Sequence, residues 1–340
     1  MNRVGVIGAG SWGTALARVL ADNGCTVRLY ARDRALVEQL RKERMNVRYL
    51  PGVELPEAIQ PTVDLAEAVS GQEMLLLTVP SHALKEVGTR VATWIGDEKP
   101  LVAHAVKGLE EGTCRRMSQV LAQALSPSGF AASDLVVLSG PSHAEEVAQR
   151  LPTTVVVASS RIECAQAAQD TLMNHYFRVY TNQDVIGVEL GGALKNVIAI
   201  AAGISDGLGY GDNAKAALIT RGLAEMTRLG TALGAQPATF SGLAGIGDLV
   251  VTCNSRHSRN WRAGYQLAQG KGLEQVLADM GMVVEGVRTT KAAYQLSREK
   301  GVNMPITQQL YELLFHGVDA REAVGRLMGR LKKHEMEESL

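Results

Sequence analysis

Lys195 is the one charged residue in an apolar, glycine-studded run, Leu190-Gly191-Gly192-Ala193-Leu194-Lys195-Asn196-Val197-Ile198-Ala199-Ile200, which carries no further charge until Asp206. Burying an ammonium is costly, and desolvation pushes a lysine's pKa down toward the range useful for acid–base work. Each glycine inside a helix costs about 1 kcal/mol against alanine. Gly187, Gly191, Gly192 and Gly203 therefore imply that something approaches this backbone closely. The competing reading is a lysine that snorkels from a helix end.

A second chemistry-bearing pattern opens the chain. Gly8-Ala9-Gly10-Ser11-Trp12-Gly13 follows a strand-like run and leads into a helical one. In that setting Gly8 permits a tight turn, Gly10 lets the backbone reach a pyrophosphate, and Gly13 allows close helix–strand packing. The amides of Ser11 and Trp12 would face the phosphates at the helix N-terminus. Past the next strand the chain reads Tyr30-Ala31-Arg32-Asp33-Arg34. An arginine there suits the 2′-phosphate of NADP, whereas an acid suits the ribose of NAD. Arg32 thus favours NADP(H), Asp33 keeps NAD(H) open, and Arg32 also reads as a solvated strand-end charge.

Two islands offer polar groups for a substrate. Lys107, in Ala105-Val106-Lys107-Gly108-Leu109-Glu110, lies just past the carboxyl end of a strand, where ligands of open α/β sheets bind. It reads equally as an exposed loop lysine. Asp248 precedes the stretch Thr252-Cys253-Asn254-Ser255-Arg256-His257-Ser258-Arg259-Asn260-Trp261. Its serine, arginine and asparagine could supply hydroxyl, guanidinium and amide donors to a phosphate, or simply cap a helix with a solvated basic entry. His82 and His143 sit at strand-to-helix turns with no spacing that pairs them with a metal ligand or a nucleophile, and no metal site is expected.

The elements that must position these residues fall into two halves. Strand-like runs at Val4–Ile7, Thr26–Tyr30, Met74–Val79, Leu101–Val106, Leu135–Leu138, Thr153–Ala158 and Phe177–Tyr180 alternate with helical patterns, which predicts an α/β domain with a mostly parallel, doubly wound sheet. After Thr181 helical patterns dominate, so the expectation is an α/β domain over 1–182, an all-α domain over 183–330 and a frayed, charged tail over 331–340. Gly/Asp/Asn clusters at Ser205–Asn213 and Ser241–Asp248 read as loops.

Composition narrows the partners. The 340 residues carry a formal net charge of zero and only 4% aromatics, which argues against nucleic acid or an anionic membrane surface. Cys25, Cys114, Cys164 and Cys253 form no CxxC pair and read as reduced cysteines of a cytoplasmic protein. Val4–Ile7 begins too near the first methionine to leave room for a signal peptide, and the apolar tracts around Val197–Ile204 read as too short to span a bilayer. Apolar helices in the second half fit a homodimer.

Six segments taken in order resemble the bacterial type of NAD(P)-dependent glycerol-3-phosphate dehydrogenase over nearly the whole chain. They are Gly8–Gly13, Val106–Glu110, Ser139-Gly140-Pro141-Ser142, Gly192–Val197, Gly242–Asp248 and Ser255–Asn260. The resemblance implies a Rossmann-like N-terminal domain and an all-α C-terminal domain like that of 6-phosphogluconate dehydrogenase. It implies reversible reduction of dihydroxyacetone phosphate to sn-glycerol 3-phosphate for glycerophospholipid synthesis, with Lys195 as the acid–base residue. Lys107, Gly140, Ser142, Lys195, Asn196, Asp248, Ser258, Arg259 and Asn260 become expected substrate contacts. Besides the glycine turn, Ser11, Trp12, Arg32, Lys107, Ala144, Arg259, Val283 and Glu285 become expected cofactor contacts. His143 and Ala103-His104-Ala105 depart from the family pattern, away from the expected proton transfer.

Two other readings remain at this point. Hydroxyacid and ketopantoate-type reductases resemble one another in a lysine with an asparagine four positions on. Here Asn196 follows Lys195 directly and position 199 is alanine. A non-catalytic dinucleotide sensor would use Gly8–Gly13 but gives no reason for a lysine amid apolar residues.

Overall fold

The computed structural model describes residues 1–281, 283–332 and 334–335. The chain forms two compact units, one of residues 1–106 and 117–185, the other of residues 107–116 and the chain from Ile186 onward. Of the charged tail, 333 and 336–340 lie outside the described residues.

The first unit holds ten strands: β1 (Arg3–Ile7), β2 (Thr26–Tyr30), β3 (Met45–Asn46), β4 (Leu50–Glu54), β5 (Ile59–Thr62), β6 (Met74–Leu77), β7 (Leu101–His104), β8 (Leu135–Ser139), β9 (Thr153–Ala158) and β10 (Phe177–Asn182). Eight of them form one sheet in the order β10-β9-β8-β7-β6-β1-β2-β5. Its pairs are parallel except β8 with β9. Strands such as Met74–Leu77 are buried at every residue, as expected where helices cover both faces of a sheet. One apolar cluster packs around Val4, Val6 and Leu29, a second around Ile7, Leu75 and Leu77. Each fully buried Leu or Ile side chain contributes about 1.5–3 kcal/mol.

The order reverses at β1, whose neighbours are β2 on one side and β6 on the other. Such a switch point, at the carboxyl ends of the strands, is where ligands of open α/β sheets bind. The turn Gly8–Gly13 lies there, between β1 and the helix Ser11–Asp22. The hairpin β3–β4 and strand β5 escape the sequence reading, because Pro51, Gly52 and Pro61 break the strand pattern. The hairpin braces the turn: the buried Asn46 amide donates to the Ala9 carbonyl (3.0 Å) and to Thr14 Oγ1 (2.8 Å).

The second unit is helical, with Val185–Gly207 as its central helix. At 23 residues that helix is long and apolar enough to cross a membrane by length and composition, contrary to the expectation that these tracts are too short. However, 83% of its most apolar window is buried inside the protein. Its glycines admit the chain's own backbone. A Cβ at Gly191 would strike the Ala244 carbonyl, one at Gly203 the Trp261 carbonyl, and one at Gly264 of the helix Arg259–Ala268 the Ile200 carbonyl.

The expected loop Ser241–Asp248 is instead a wide helical turn, Leu243–Gly247, that runs into the helix Asp248–Asn254. Gly245 bends it at φ −95°, ψ −106°, and a Cβ there would meet Phe240 backbone. The segment Lys107–Arg116, which the sequence reading places in the first domain, groups with the helices. Leu109 and Cys114 join the helical core, and Arg116 pairs with the buried Glu189 of the central helix.

Candidate active site

In the first unit the three glycines of the turn are required for different reasons. Gly8 has φ +123°, and a Cβ on Gly13 would run into the Gly8 carbonyl and Thr78 Oγ1. Gly10 has an ordinary φ of −73°, and a Cβ on it would meet nothing within 4 Å. The chain itself therefore sets no demand for glycine at position 10, and the open space leaves room for a phosphate close to that backbone. Among the described residues no side chain caps this helix, so its first amides, including those of Ser11 and Trp12, stay available to an anion. The turn fits a dinucleotide.

Arg32 is exposed just past β2. Asp33, the acid that would take a ribose hydroxyl, is occupied: Oδ1 accepts from the amides of Ala35 (3.0 Å) and Leu36 (3.3 Å), and Oδ2 faces Arg48. Gly140 sits at φ +123° after β8, Ser142 Oγ donates to its carbonyl (2.9 Å), and Ala144 begins the helix Ala144–Ala148.

In the second unit the central helix carries Lys195 inward, leaving it 6% exposed beside Asp248 at 1%. The Lys195 ammonium donates to Asp248 Oδ1 and to Thr252 Oγ1 (2.7 Å). Lys107 Nζ donates to the other carboxylate oxygen at 2.6 Å. Two ammoniums thus share one buried carboxylate. An ammonium has three donors, and among the described residues Lys195 uses two, leaving one for a ligand.

Burial dominates the electrostatics. It depresses Lys195 from the ordinary 10.5 to about 7, even though Asp248 opposes the shift, and Lys107 adds to it. Burial alone would raise the Asp248 carboxyl, but the charges of Lys107 and Lys195 hold it below the usual range. The snorkelling reading of Lys195 fails, because the ammonium is 6% exposed and held by Asp248 and Thr252.

Of the expected residues in this unit, Lys107, Lys195 and Asp248 form one cluster. Asn196, one position along, meets Asn260 instead, with Asn260 Nδ2 donating to Asn196 Oδ1 at 2.9 Å. Ser258 caps the helix Arg259–Ala268 by accepting from the Trp261 amide (3.2 Å), which leaves its hydroxyl proton free to donate. Arg259 reaches the Val283 carbonyl (3.3 Å), and Glu285 begins the helix Glu285–Lys300. Gly140, Ser142, Ala144, Arg32 and the glycine turn belong to the first unit.

Thr252 is a partner of Lys195 that the sequence reading does not single out. It lies four residues after Asp248, one helical turn on, so both face Lys195. Reading 241–248 as a loop hides that spacing.

A mostly parallel sheet with a phosphate-ready glycine turn, joined in one chain to a helical unit holding a buried lysine on a carboxylate, defines a two-domain, dinucleotide-dependent dehydrogenase. The family model described as NAD-dependent glycerol-3-phosphate dehydrogenase N-terminus matches residues 3–165, and that of the C-terminus residues 184–325. A relative in Geobacillus kaustophilus, named glycerol-3-phosphate dehydrogenase of the NAD(P)+ type, is 59% identical over 99% of this chain and 97% of its own. The crystal structure of glycerol-3-phosphate dehydrogenase from Coxiella burnetii aligns with a TM-score of 0.90 and 42% identity, over 97% of this chain and 99% of that one. This chain belongs to the NAD-dependent glycerol-3-phosphate dehydrogenase family and is an NAD(P)-dependent oxidoreductase. A ketopantoate reductase of the PanE/ApbA family from Ralstonia eutropha shares the fold alone, with a TM-score of 0.56 and 14% identity over 96% of this chain and 100% of that one.

Proposed function

We propose that this chain reversibly reduces dihydroxyacetone phosphate to sn-glycerol 3-phosphate, with Lys195 as general acid and base, and so supplies glycerophospholipid synthesis in the cytoplasm. The observation that carries the reading is the buried Lys195 ammonium on the carboxylate it shares with Lys107. A bound nicotinamide cofactor supplies or accepts the hydride. Lys195 stabilises the oxygen that develops negative charge at C2 and gives it a proton, and in oxidation the neutral amine takes the hydroxyl proton back. Asp248 and Thr252 hold the Lys195 amine in place, and Lys107 adds positive charge beside the substrate.

Arg259, the Ser258 hydroxyl and the first amides of the helix Arg259–Ala268 grip the phosphate. Residues 1–182 bind the dinucleotide through Gly8–Gly13, with Ala144 as a further contact, while Gly140 and Ser142 meet the substrate; Val283 and Glu285 contribute to the cofactor site from the helical domain, 183–330. The commitment of Asp33 to its helix cap supports NADPH over NADH through Arg32. Exposed apolar side chains of the second unit, Val250, Tyr265 and Leu277, support a homodimer.

The test is NADPH oxidation followed spectrophotometrically with dihydroxyacetone phosphate and repeated with NADH. Turnover with neither coenzyme would overturn the reading. Arg259→Ala should lower kcat/KM for dihydroxyacetone phosphate by about 10- to 100-fold, mainly through KM, as loss of a charged hydrogen-bond donor. Unphosphorylated dihydroxyacetone should be little affected, and equal losses on both substrates would remove Arg259 from the phosphate.

The pH dependence follows from the depressed lysine. Reduction needs the ammonium, so its kcat/KM should be flat below about 7 and fall above it. Oxidation needs the amine, so its kcat/KM should climb until about 7 and then level. Breaks near 10.4, an unperturbed lysine's value of about that size, would show that burial does not control this group.

A further inference from the structure

Asn196 and Asn260 are both buried, at 5% and 9% exposure, on the two helices that carry Lys195 and Arg259. The direction of each amide is fixed by what it faces. The Gly286 backbone N–H can only donate, and it donates to Asn260 Oδ1 at 2.9 Å. The other end of Asn260 is therefore its NH2, which donates to Asn196 Oδ1 at 2.9 Å. Asn196 is then left with its NH2 as the uncommitted end. That group's one contact among the described residues is the Gly192 carbonyl at 3.5 Å, the outer limit of a hydrogen bond.

The relay needs glycine at position 286. A Cβ there would lie 2.6 Å from the Asn196 carbonyl and 2.8 Å from Asn260 Oδ1. With its oxygen and one of its two N–H groups engaged, Asn260 cannot turn that side chain toward a substrate without giving up a hydrogen bond.

We propose that the Asn260 side chain is a positioning residue that touches no substrate: it relays the Gly286 N–H through its own amide so that Asn196 presents NH2, and not C=O, to the substrate. This revises the expectation that Asn260 contributes its side chain as a contact, and it rests on the reading of this unit as the dihydroxyacetone phosphate site. Asn260 contributes to substrate binding through its first-turn backbone amide, and its side chain acts through Asn196.

Asparagine-to-aspartate at 260 separates this from a purely structural role. A carboxylate still accepts from Gly286 but no longer donates to Asn196, so Asn196 turns its NH2 inward and its carbonyl toward the substrate.

The experiment is a double-mutant cycle with dihydroxyacetone phosphate and NADPH on the full chain. It combines Asn196→Ala with Asn260→Ala and with Asn260→Asp, and follows kcat/KM, NADPH affinity and thermal midpoint. Asn196→Ala should lose about 10²-fold in kcat/KM, as for removal of one directed donor. Asn260→Asp should lose at least as much as Asn260→Ala, and Asn260→Ala should lower kcat/KM no further once Asn196 is alanine. Additive losses of Asn260→Ala in the Asn196→Ala background would show that Asn260 meets the substrate itself. Parent-like activity of Asn260→Asp would show that it only secures Gly286. Either result overturns the proposal. A parent enzyme that does not turn over dihydroxyacetone phosphate overturns the functional reading instead.

Discussion

Replacing Lys195 with methionine should lower turnover by about three to five orders of magnitude, the combined scale of losing a general acid and a directed positive charge. Methionine fills a similar volume in the apolar surroundings of the central helix, so packing changes little. What disappears is the one group that donates to Asp248 Oδ1 and Thr252 Oγ1 and still has a hydrogen to give. Lys107 is held on the opposite carboxylate oxygen, and a second ammonium there does not place a proton where Lys195 had it. The glycine turn lies in the other unit and is untouched, so NADPH affinity should stay within a few-fold of the parent. Steady-state kcat with a fluorescence titration of NADPH measures both. A variant within tenfold of the parent kcat would remove Lys195 from the acid–base role.

The second large effect belongs to Asp248→Asn. Asp248 is the carboxylate on which both ammoniums rest, and its attraction works against the desolvation that lowers Lys195. Without that charge desolvation acts unopposed, and the repulsion from Lys107 remains. The Lys195 pKa should then move below its present value of about 7. The amide also loses one strong acceptor, so one of the two lysines loses its anchor.

We expect kcat/KM to fall by about 10²–10³-fold at neutral pH, the scale of a lost electrostatic positioning group. The two directions decline together, since the overall equilibrium is not the enzyme's to change. The more telling readout is the pH profile, in which the break for reduction should shift acid. A break that stays put or moves alkaline would mean that Asp248 does not face the titrating group. Thermal unfolding of the variant separates this from lost folding, because breaking a buried ion pair costs about 3–5 kcal/mol when a charge is left behind.

Much of the fold was legible because its signals are local. β2 and β9 match the predicted Thr26–Tyr30 and Thr153–Ala158 residue for residue. Apolar, β-branched runs carry that information in a few neighbouring positions. The hairpin β3–β4 was not legible, since a two-residue strand and one containing Pro51 and Gly52 have no periodicity to read.

The candidate site was legible at Lys195 for a physical reason: an ammonium in an apolar run is too costly to bury without a partner, and Asp248 is that partner. Its partners were harder to read. Asp248 lies 53 residues away and Lys107 reaches it across 141, and no local pattern encodes such meetings. The glycine-rich stretch before Asp248 signals a loop by composition, yet packing against Gly191 and Phe240 winds it into a helical turn. That misreading removed the four-residue spacing that pairs Asp248 with Thr252. The competition between burial and Asp248 over the lysine's proton was likewise open in the sequence, because it depends on the full set of neighbours.

The ten residues Lys107–Arg116 bear on how such an enzyme can be rebuilt. They are encoded between β7 and β8 but fold with the helices, tied by the Lys107–Asp248 and Arg116–Glu189 pairs. A single cut in the gene near residue 183 therefore does not separate the two units. A nucleotide-binding half grafted from a relative to change coenzyme choice would bring its own version of this segment, and with it one of the two cations on Asp248. Modular exchange has to leave residues 107–116 with their host, as an island inside the transplanted part.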